Sequence, residues 1–269
     1  MTLEQTLLTL VAAHAAQTIS IAYADMETGE RVEVRAAERM HAASTMKLAV
    51  LIAAHKLGVP LDEPVRVENR FKSLADGSDF TVDPHDDADP WTYQQIGRAV
   101  PLRKLLERMI VRSSNLATNV VMQRVPAAQV TRVCRELGAR DIEVLRGVED
   151  GKAFAKGLNN TTTAHDLAVL LEAGAGMPAV VGLLARQELN EGIPAALPKG
   201  TRVAHKTGSI TGHYHDAALV FPPARGRAAR RKPFVLVVLT RGFTDEKEAV
   251  AVVREISRAV WQHVLDRVR

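Results

Sequence analysis

The chain has 269 residues, of which 46% are hydrophobic and 25% charged, so bulk disorder and fibrous repeats are excluded. The single cysteine, Cys134, excludes an intrachain disulfide and a cysteine-rich zinc module. The net charge is +4, and the charges are concentrated in places: five cations lie in the run 225–232 and four carboxylates in the run 83–89. Since only 4% of the residues are aromatic, we expect no nucleic-acid partner.

Apolar periodicity predicts a hairpin between two helices in the N-terminal part. The alternation of Ile19, Ile21 and Tyr23 is typical of a half-buried strand, and a Glu-Thr-Gly-Glu turn follows it. The predicted elements are, in order, a helix over 3–15, a strand over 18–24, a strand over 31–34 and a helix over 44–55.

The first residues predict a mature amphipathic helix rather than a signal peptide. No Lys or Arg precedes their apolar part, which also contains Glu4. No stretch of the chain approaches the roughly 20 apolar residues of a membrane span, so we expect none. The compartment stays open, either cytoplasmic or exported with an export sequence removed.

Proline, glycine and threonine mark a block of helices in the middle of the chain. Pro101 and Pro126 are placed to open helices and Gly138 to close one, and the Thr163 hydroxyl suits a helix cap. The predicted helices cover 101–111, 116–123, 126–138 and 164–173. Cys134 follows Val130 and Val133 on one of them, which predicts a buried core thiol.

After Gly200 the pattern returns to strands and ends in a long helix. The strands are predicted over 203–207, 216–221 and 234–239 and the helix over 246–268, with the basic run 225–232 as a hairpin loop. Because strands come from both ends of the chain and helices from its middle, we predict an α+β fold. Residues 1–40 and 200–269 form one lobe, an antiparallel sheet flanked by terminal helices, and residues 41–199 form an inserted all-helical lobe.

A serine and a lysine share one face of the second predicted helix. Ser44 begins this helix and Lys47 follows at i+3, so the hydroxyl and the ammonium are neighbours. The helix N-terminus adds free N–H groups and partial positive charge. Taken alone, the pair is equally typical of an N-cap serine and a surface lysine.

Two further motifs carry polar groups at the ends of elements. Ser113 and Asn115 lie where two predicted helices meet. Serine and asparagine are also common in helix caps and turns, so this position alone does not indicate a site. The strand segment 206–209, Lys-Thr-Gly-Ser, combines a charge, two hydroxyls and a backbone open to close approach. Each motif alone is weak evidence for chemistry.

In this order, Ser-x-x-Lys, Ser-x-Asn and Lys-Thr-Gly are the three signatures of penicillin-recognising serine enzymes. The chain resembles the class A β-lactamase group over nearly its whole length, and only the stretch 66–100 is poorly matched. The hairpin before Ser44, the asparagine at 119, the threonines at 161–163 and the strand over 234–242 add to the likeness. The resemblance implies a β-lactamase/transpeptidase-like fold with the active site at the junction of the two lobes.

The resemblance implies a role in acyl transfer for each motif residue. The implied catalytic residues are the nucleophile Ser44, its base Lys47, the proton relay Ser113 and Lys206, which supplies positive potential. The implied substrate-binding residues are Asn115 for the acylamide group and Thr207, Gly208 and Ser209 around the substrate carboxylate. The backbone N–H groups of Ser44 and Ser209 would form the oxyanion hole. We expect His215 to face the cleft beside Lys206 and to help hold the carboxylate. No cofactor or metal is implied.

The glutamate that activates the deacylating water in class A enzymes has no clear counterpart in the sequence. Those enzymes carry it three residues before a Leu-Asn pair, and here that position is Ala155. Glu149 lies near the expected place but in another context, where it is equally typical of a turn before Gly151. The sequence leaves open whether Glu149 or no residue is the deacylation base. Ser114 stands where the family usually has aspartate in the second motif.

Histidines offer a second kind of site. His213 and His215 share a strand face, with His205 in reach, so we considered a metal centre. The zinc lactamase pattern requires Asp at position 217, which is alanine, and we predict no metal there. Trp91 and Tyr93 are predicted either to rim the cleft or to pack between helices.

The sequence therefore predicts a serine hydrolase that opens β-lactam rings through an acyl-serine. Two alternatives stay open: a penicillin-binding D-Ala-D-Ala peptidase or esterase that deacylates slowly, and a non-catalytic covalent sensor. The expected partner is a small β-lactam or an acyl-peptide or ester substrate, and we expect a monomer.

Overall fold

A five-stranded antiparallel sheet is the centre of the computed structural model, which describes residues 1–14, 17–223 and 231–267. The strands of the described residues are β1 Thr18–Asp25, β2 Arg31–Val34, β3 Met40–His41, β4 Pro64–Arg66, β5 Phe71–Lys72, β6 Asp79–Phe80, β7 Ala99–Pro101, β8 Thr161–Thr162, β9 Arg202–Ile210, β10 His213–Phe221 and β11 Phe234–Arg241. The sheet has the strand order β2-β1-β11-β10-β9, so strands from both chain ends pair in it. Outside it, six short strands form three pairs, β3 with β8, β4 with β7 and β5 with β6.

Helices cover both faces of this sheet. Those in the described part of the chain are α1 Leu3–Ala12, α2 Met46–Lys56, α3 Pro90–Tyr93, α4 Leu102–Val111, α5 Asn115–Met122, α6 Ala127–Glu136, α7 Gly151–Ala155, α8 Ala164–Ala175, α9 Pro178–Leu184 and α10 Glu246–Asp266. The α+β class predicted from the sequence is confirmed. The two-lobe division at 40/41 and 199/200 stays a prediction.

Each face of the sheet has its own hydrophobic core. On the outer face, Leu7 of α1 and Val253 of α10 pack against Ile21 and Leu236. On the inner face, Val237 and Leu219 belong to the larger core that the helices α2, α4, α5 and α8 complete. Burial of apolar area on both faces is the main force that fixes β9 and β10 against the helices.

Helix α2 is the axis of the inner core. Nine of its residues, Met46 to Ala54, are buried, so it has no exposed face over these turns. The sequence predicted this helix from Ser44, whereas the structure begins it at Met46 after a 3-10 turn, Ala43–Thr45. This turn points Ser44 out of the core.

Several local predictions are confirmed in detail. The Thr163 hydroxyl accepts the N–H of Asp166 and caps α8. Cys134 is fully buried, and burial raises the pKa of its thiol to about 12. Strands β9 and β10 are longer than predicted, because polar residues 207–215 continue the pairing to a turn at 211–212. Residues 225–230 of the predicted basic loop lie outside the described residues, as do residue 15 of the first predicted helix and residue 268 of the last.

In the described ranges, no single helix is long and apolar enough to cross a membrane. Helices α8 and α9, bent by 120° to each other, meet such a criterion only when taken together.

Candidate active site

Ser44 is presented by a strained turn. The preceding residue, Ala43, has a φ of +46°, which residues other than glycine rarely adopt. The His41 ring supports this conformation, because its Nδ1 accepts the N–H of Ala43 at 3.0 Å. Ser44 is partly exposed, while Lys47 one turn later is fully buried. The predicted i, i+3 pair therefore places the hydroxyl at the surface and the amine beneath it.

The Ser113 hydroxyl lies between two buried lysines. Its Oγ is 3.3 Å from Nζ of Lys47 and 2.9 Å from Nζ of Lys206, which donate to it. Ser113 itself has a φ of +56°, and its carbonyl oxygen accepts one more hydrogen bond, from Nζ of Lys47 at 2.6 Å. The left-handed backbone at Ser113 thus brings both its carbonyl and its hydroxyl to the amines. The three motifs predicted from the sequence meet at this point.

Burial lowers the pKa of both lysines. Desolvation lowers the pKa of Lys47 to about 7, although the charges of Asp87 and Glu149 oppose the shift. The pKa of Lys206 is well below its usual value, because burial and the neighbouring Lys47 both disfavour its charge. At neutral pH the two lysines are therefore not both fully charged. One of these amines is available as a proton acceptor.

Asn115 links Lys47 to Glu149. Its Oδ1 accepts from Nζ of Lys47 at 2.7 Å, and its Nδ2 donates to Oε1 of Glu149 at 2.5 Å. The other carboxylate oxygen of Glu149 accepts the N–H of Asp83 at 2.9 Å. Glu149 has a φ of +60°, and burial raises the pKa of its carboxyl group. The polar chain Lys47–Asn115–Glu149 runs along the floor of the cleft.

Glu149 and Ala155, the position reached by counting back from the Leu-Asn pair, lie in different surroundings. Glu149 lines the cavity that also contains Ser44, whereas Ala155 is exposed at the end of α7 and does not line it. Counting back from the Leu-Asn pair therefore gave a position outside the cleft.

Strand β9 passes so close to Ser44 that position 208 has no room for a side chain. A Cβ on Gly208 would lie 2.8 Å from the backbone N of Ser44 and 2.9 Å from that of Thr45. Thr207 is buried beside it, and Ser209 is exposed, with its Oγ donating to Oε2 of Glu246 at 2.5 Å. The Lys-Thr-Gly strand thus forms one wall of the cleft.

The cleft has two halves, and Ser44, Asp86, Asn115 and Ser209 line both. The half that we call the Glu149 pocket has a volume of about 530 Å³ and is also lined by His41, Arg146, Glu149 and Phe154. The half that we call the Glu246 pocket has a volume of about 310 Å³ and is also lined by Ser113, Glu191, Thr207, Tyr214 and Glu246. Ser44 at the border is accessible from both.

His215 does not hold a substrate carboxylate as predicted. Its side chain is fully buried on the inner face of β10, where Nε2 donates to the His41 carbonyl and Nδ1 accepts the N–H of Thr240. Burial lowers the pKa of His215 to about 4, so the ring is neutral at pH 7. The prediction was wrong because β10 is an interior strand that is covered on both faces.

The other histidine and aromatic candidates have structural partners. Nδ1 of His205 donates to buried Asp216 at 2.9 Å, and its Nε2 contacts Asn190. No group of three or more His, Cys, Asp or Glu side chains in the described ranges is arranged to hold a metal ion. Trp91 packs under the cations of Lys104 and Arg108, which agrees with the packing role considered for it.

Sequence reasoning missed a carboxylate that positions the second motif. Oδ2 of Asp87 accepts the N–H groups of Asn115 and Leu116, at 2.7 and 3.0 Å, and the Ser114 hydroxyl. It thereby holds the start of α5, with a carboxylate brought from the run 83–89. The sequence analysis gave this run no role in the site, and the signal that could have found it is Ser114, which stands where the family usually has aspartate.

Comparisons with known proteins agree with this geometry. The sequence model described as "Beta-lactamase enzyme family" matches residues 2–264. No protein in a curated set matches the chain.

Solved structures match the chain over almost its full length. A structure of PBP-A has a TM-score of 0.80 at 24% identity, covering 98% of this chain and 96% of that one. A β-lactamase from Xanthomonas campestris pv. campestris has a TM-score of 0.81 at 20% identity, covering 98% and 99%. An ancestral class A β-lactamase has a TM-score of 0.75 at 23% identity, covering 97% and 99%. The fold is that of these proteins, and the family match over residues 2–264 shows that the chain belongs to the β-lactamase enzyme family.

Proposed function

We infer that this protein is a serine hydrolase that opens β-lactam rings through an acyl-serine on Ser44. The observation that carries the proposal is the Ser113 hydroxyl, held between Nζ of Lys47 and Nζ of Lys206 in a pocket that the partly exposed Ser44 also lines. This arrangement supplies a nucleophile, a proton acceptor and a proton donor within one cleft.

Acylation uses the three motifs. Ser44 Oγ attacks the lactam carbonyl carbon while its proton passes to the neutral amine of Lys47. The carbonyl oxygen becomes negative and is stabilised by the backbone N–H groups of Ser44 and Ser209. The carbon–nitrogen bond then breaks, and the nitrogen takes the Ser113 hydroxyl proton. The neighbouring lysine ammonium returns a proton to Ser113.

Deacylation uses Glu149. A water molecule gives a proton to the Glu149 carboxylate and attacks the ester carbon, and Ser44 Oγ leaves with a proton. The raised pKa of Glu149 makes its carboxylate a stronger base than an ordinary glutamate. Its two hydrogen bonds, from Asn115 and from the Asp83 backbone, fix its position in the cleft.

A second candidate is a peptidase or esterase that β-lactams acylate but that releases them slowly. One observation favours an esterase: the Ser209 hydroxyl donates to the protein's own carboxylate, Glu246, at the place where the motif predicts a substrate carboxylate, which an ester substrate need not carry. A similar protein, a PBP-A mutant at 25% identity with a TM-score of 0.80, has been solved as an acyl-enzyme complex with penicillin G.

Burst kinetics with a chromogenic cephalosporin distinguish these candidates. We expect about one equivalent of ring-opened product at once, followed by continuing turnover. One equivalent without further turnover would support the slow peptidase or esterase, or the covalent sensor. No burst and no turnover with any β-lactam would contradict the acyl-serine proposal.

The pH dependence of kcat/KM tests the role of Lys47. Its pKa is lowered to about 7, and only the neutral amine accepts the Ser44 proton. We therefore expect kcat/KM to rise about tenfold per pH unit below neutrality, to reach half its maximum near pH 7 and to level off above. If kcat/KM stayed constant between pH 5.5 and 8, measured with a substrate that does not titrate in this range, Lys47 would not be the base.

A further inference from the structure

Three carboxylates line the Glu246 pocket. Asp86, Glu191 and Glu246 line it from three separate segments, and all three are exposed. No Lys, Arg or His occurs among the described residues that line this pocket, and none of the three carboxylates forms an ion pair with a described residue. A negatively charged group that enters it meets three like charges.

The positive groups behind the pocket do not line it. Lys206 is fully buried, and its Nζ donates to the Ser113 hydroxyl and to the Thr207 carbonyl. Arg254 lies beyond the wall, where its Nε donates to the Glu191 carbonyl at 2.6 Å, and it does not line the pocket. The carboxylates of Glu191 and Glu246 stay open to the cavity.

Tyr214 provides a second, independent indication that a ligand binds in the Glu246 pocket. It lines the same pocket and is 4% exposed, and its hydroxyl has no hydrogen-bond partner among the described residues. Burial, together with the charges of Asp216, Glu191 and Glu246, holds the pKa of this hydroxyl far above its usual value. The oxygen lone pair and the ring face of a neutral phenol both attract a cation, whether or not the cation carries an N–H group.

The pocket lies on the side of Ser44 from which the leaving group departs. Ser113, which gives its proton to the leaving group in the proposed mechanism, lines the Glu246 pocket and not the Glu149 pocket. Glu149, which activates the water, lines only the other half. The acidic side chains therefore surround the leaving group rather than the acyl group.

We propose that the Glu246 pocket selects acyl donors whose leaving group carries a positive charge and disfavours those whose leaving group carries a carboxylate. Glu246 is the main determinant, because its carboxylate already takes the Ser209 hydroxyl and lies beside Thr207 and Ser209. This specificity rests on the proposed acyl-serine function. Among β-lactams, it predicts a higher kcat/KM for those without a carboxylate on this side than for ordinary penicillins and cephalosporins.

Three thioesters with one acyl group test this specificity. Their leaving thiols are thiocholine, its uncharged isostere 3,3-dimethylbutanethiol, and 3-mercaptopropionate. In each case Ser44 Oγ forms the ester as the carbon–sulfur bond breaks, and the departing sulfur takes the proton. We expect kcat/KM for the cationic thioester to exceed that for the anionic one by roughly tenfold or more, with the neutral one between them.

Single substitutions of the lining carboxylates test whether the preference for cationic leaving groups comes from the Glu246 pocket. Glu246→Gln, and independently Glu191→Gln, should reduce the cation-to-anion ratio to about a third or less of its wild-type value. Glu248→Gln is the matched control, because Glu248 is exposed on the same helical turn but does not line the pocket. It should leave the ratio unchanged, and thermal unfolding verifies that all three variants are folded.

Two results would overturn the specificity while leaving the proposed function intact. One is acylation of Ser44 with equal or better use of the anionic thioester. The other is a cation preference that survives in both Glu246→Gln and Glu191→Gln. Failure of every thioester and every β-lactam to acylate Ser44 would instead refute the proposed function.

Discussion

Replacement of Ser44 by alanine is expected to abolish turnover, with kcat reduced by about 10⁵-fold or more. Removal of Oγ leaves no atom to carry the acyl group, and neither Ser113 nor Ser209 replaces it. Ser113 is engaged by both lysines, and Ser209 by Glu246. Hydrolysis of a chromogenic cephalosporin by wild type and variant gives the ratio.

Ser78→Ala is the matched control for this loss. The Ser78 hydroxyl bonds Asp76 and Lys152 on the surface, away from either half of the cleft, and its removal should leave kcat within about twofold. If Ser44→Ala kept more than a small fraction of wild-type turnover, the nucleophile would be another group.

Replacement of Glu149 by glutamine is expected to trap the acyl-enzyme. Glutamine has the size of glutamate and retains one oxygen to accept from Asn115 or from the Asp83 backbone, so the cleft keeps its shape. It does not take a proton from water, and deacylation should slow by roughly 10²- to 10⁴-fold. The acylation rate should change by a few-fold at most. Single-turnover kinetics measure the two steps separately.

The comparison variant for this step is Glu143→Gln. Glu143 lies close in sequence, carries the same charge and faces Arg39 outside the cleft. Its replacement should leave both rates unchanged. Equal slowing of acylation and deacylation in Glu149→Gln would show that Glu149 supports the structure of the site, and unaltered turnover would remove it as the base.

The residues that meet at Ser113 were predictable from the sequence because they belong to short motifs in a fixed order. Lys47 and Lys206 are 159 positions apart, and the structure brings both amines to the hydroxyl of Ser113. Periodicity and capping residues also located most helices, as the Thr163 cap of α8 shows. These features are local, so a single sequence contains them.

Backbone strain was not predictable. Ala43, Ser113 and Glu149 each have a left-handed φ, although none is a glycine or asparagine. The rest of the fold must stabilise each of them, by the His41 ring at Ala43 and by Lys47 at the Ser113 carbonyl. Among the described residues, three of the four non-glycine positions with such a φ lie at the cleft, which agrees with the tendency of functional sites to hold strain.

The environment of a strand residue was also not predictable from the sequence. The sequence analysis placed His215 on a strand face, although the predicted strand began only at 216, and it did not reveal that β10 lies between two other strands under a helical layer. Likewise, Asp86, Glu191 and Glu246 have no sequence relation, and only the fold places them in one pocket. Long-range packing decides both points.

The acyl-serine mechanism is tested most directly by mass spectrometry of the wild-type protein and of Glu149→Gln during reaction with one β-lactam, with peptide mapping of the adduct. We expect an adduct on the peptide that contains Ser44 in both proteins, transient in the wild type and persistent in Glu149→Gln. An adduct on any other residue, or hydrolysis by the wild type without a covalent adduct in either protein, would contradict this mechanism.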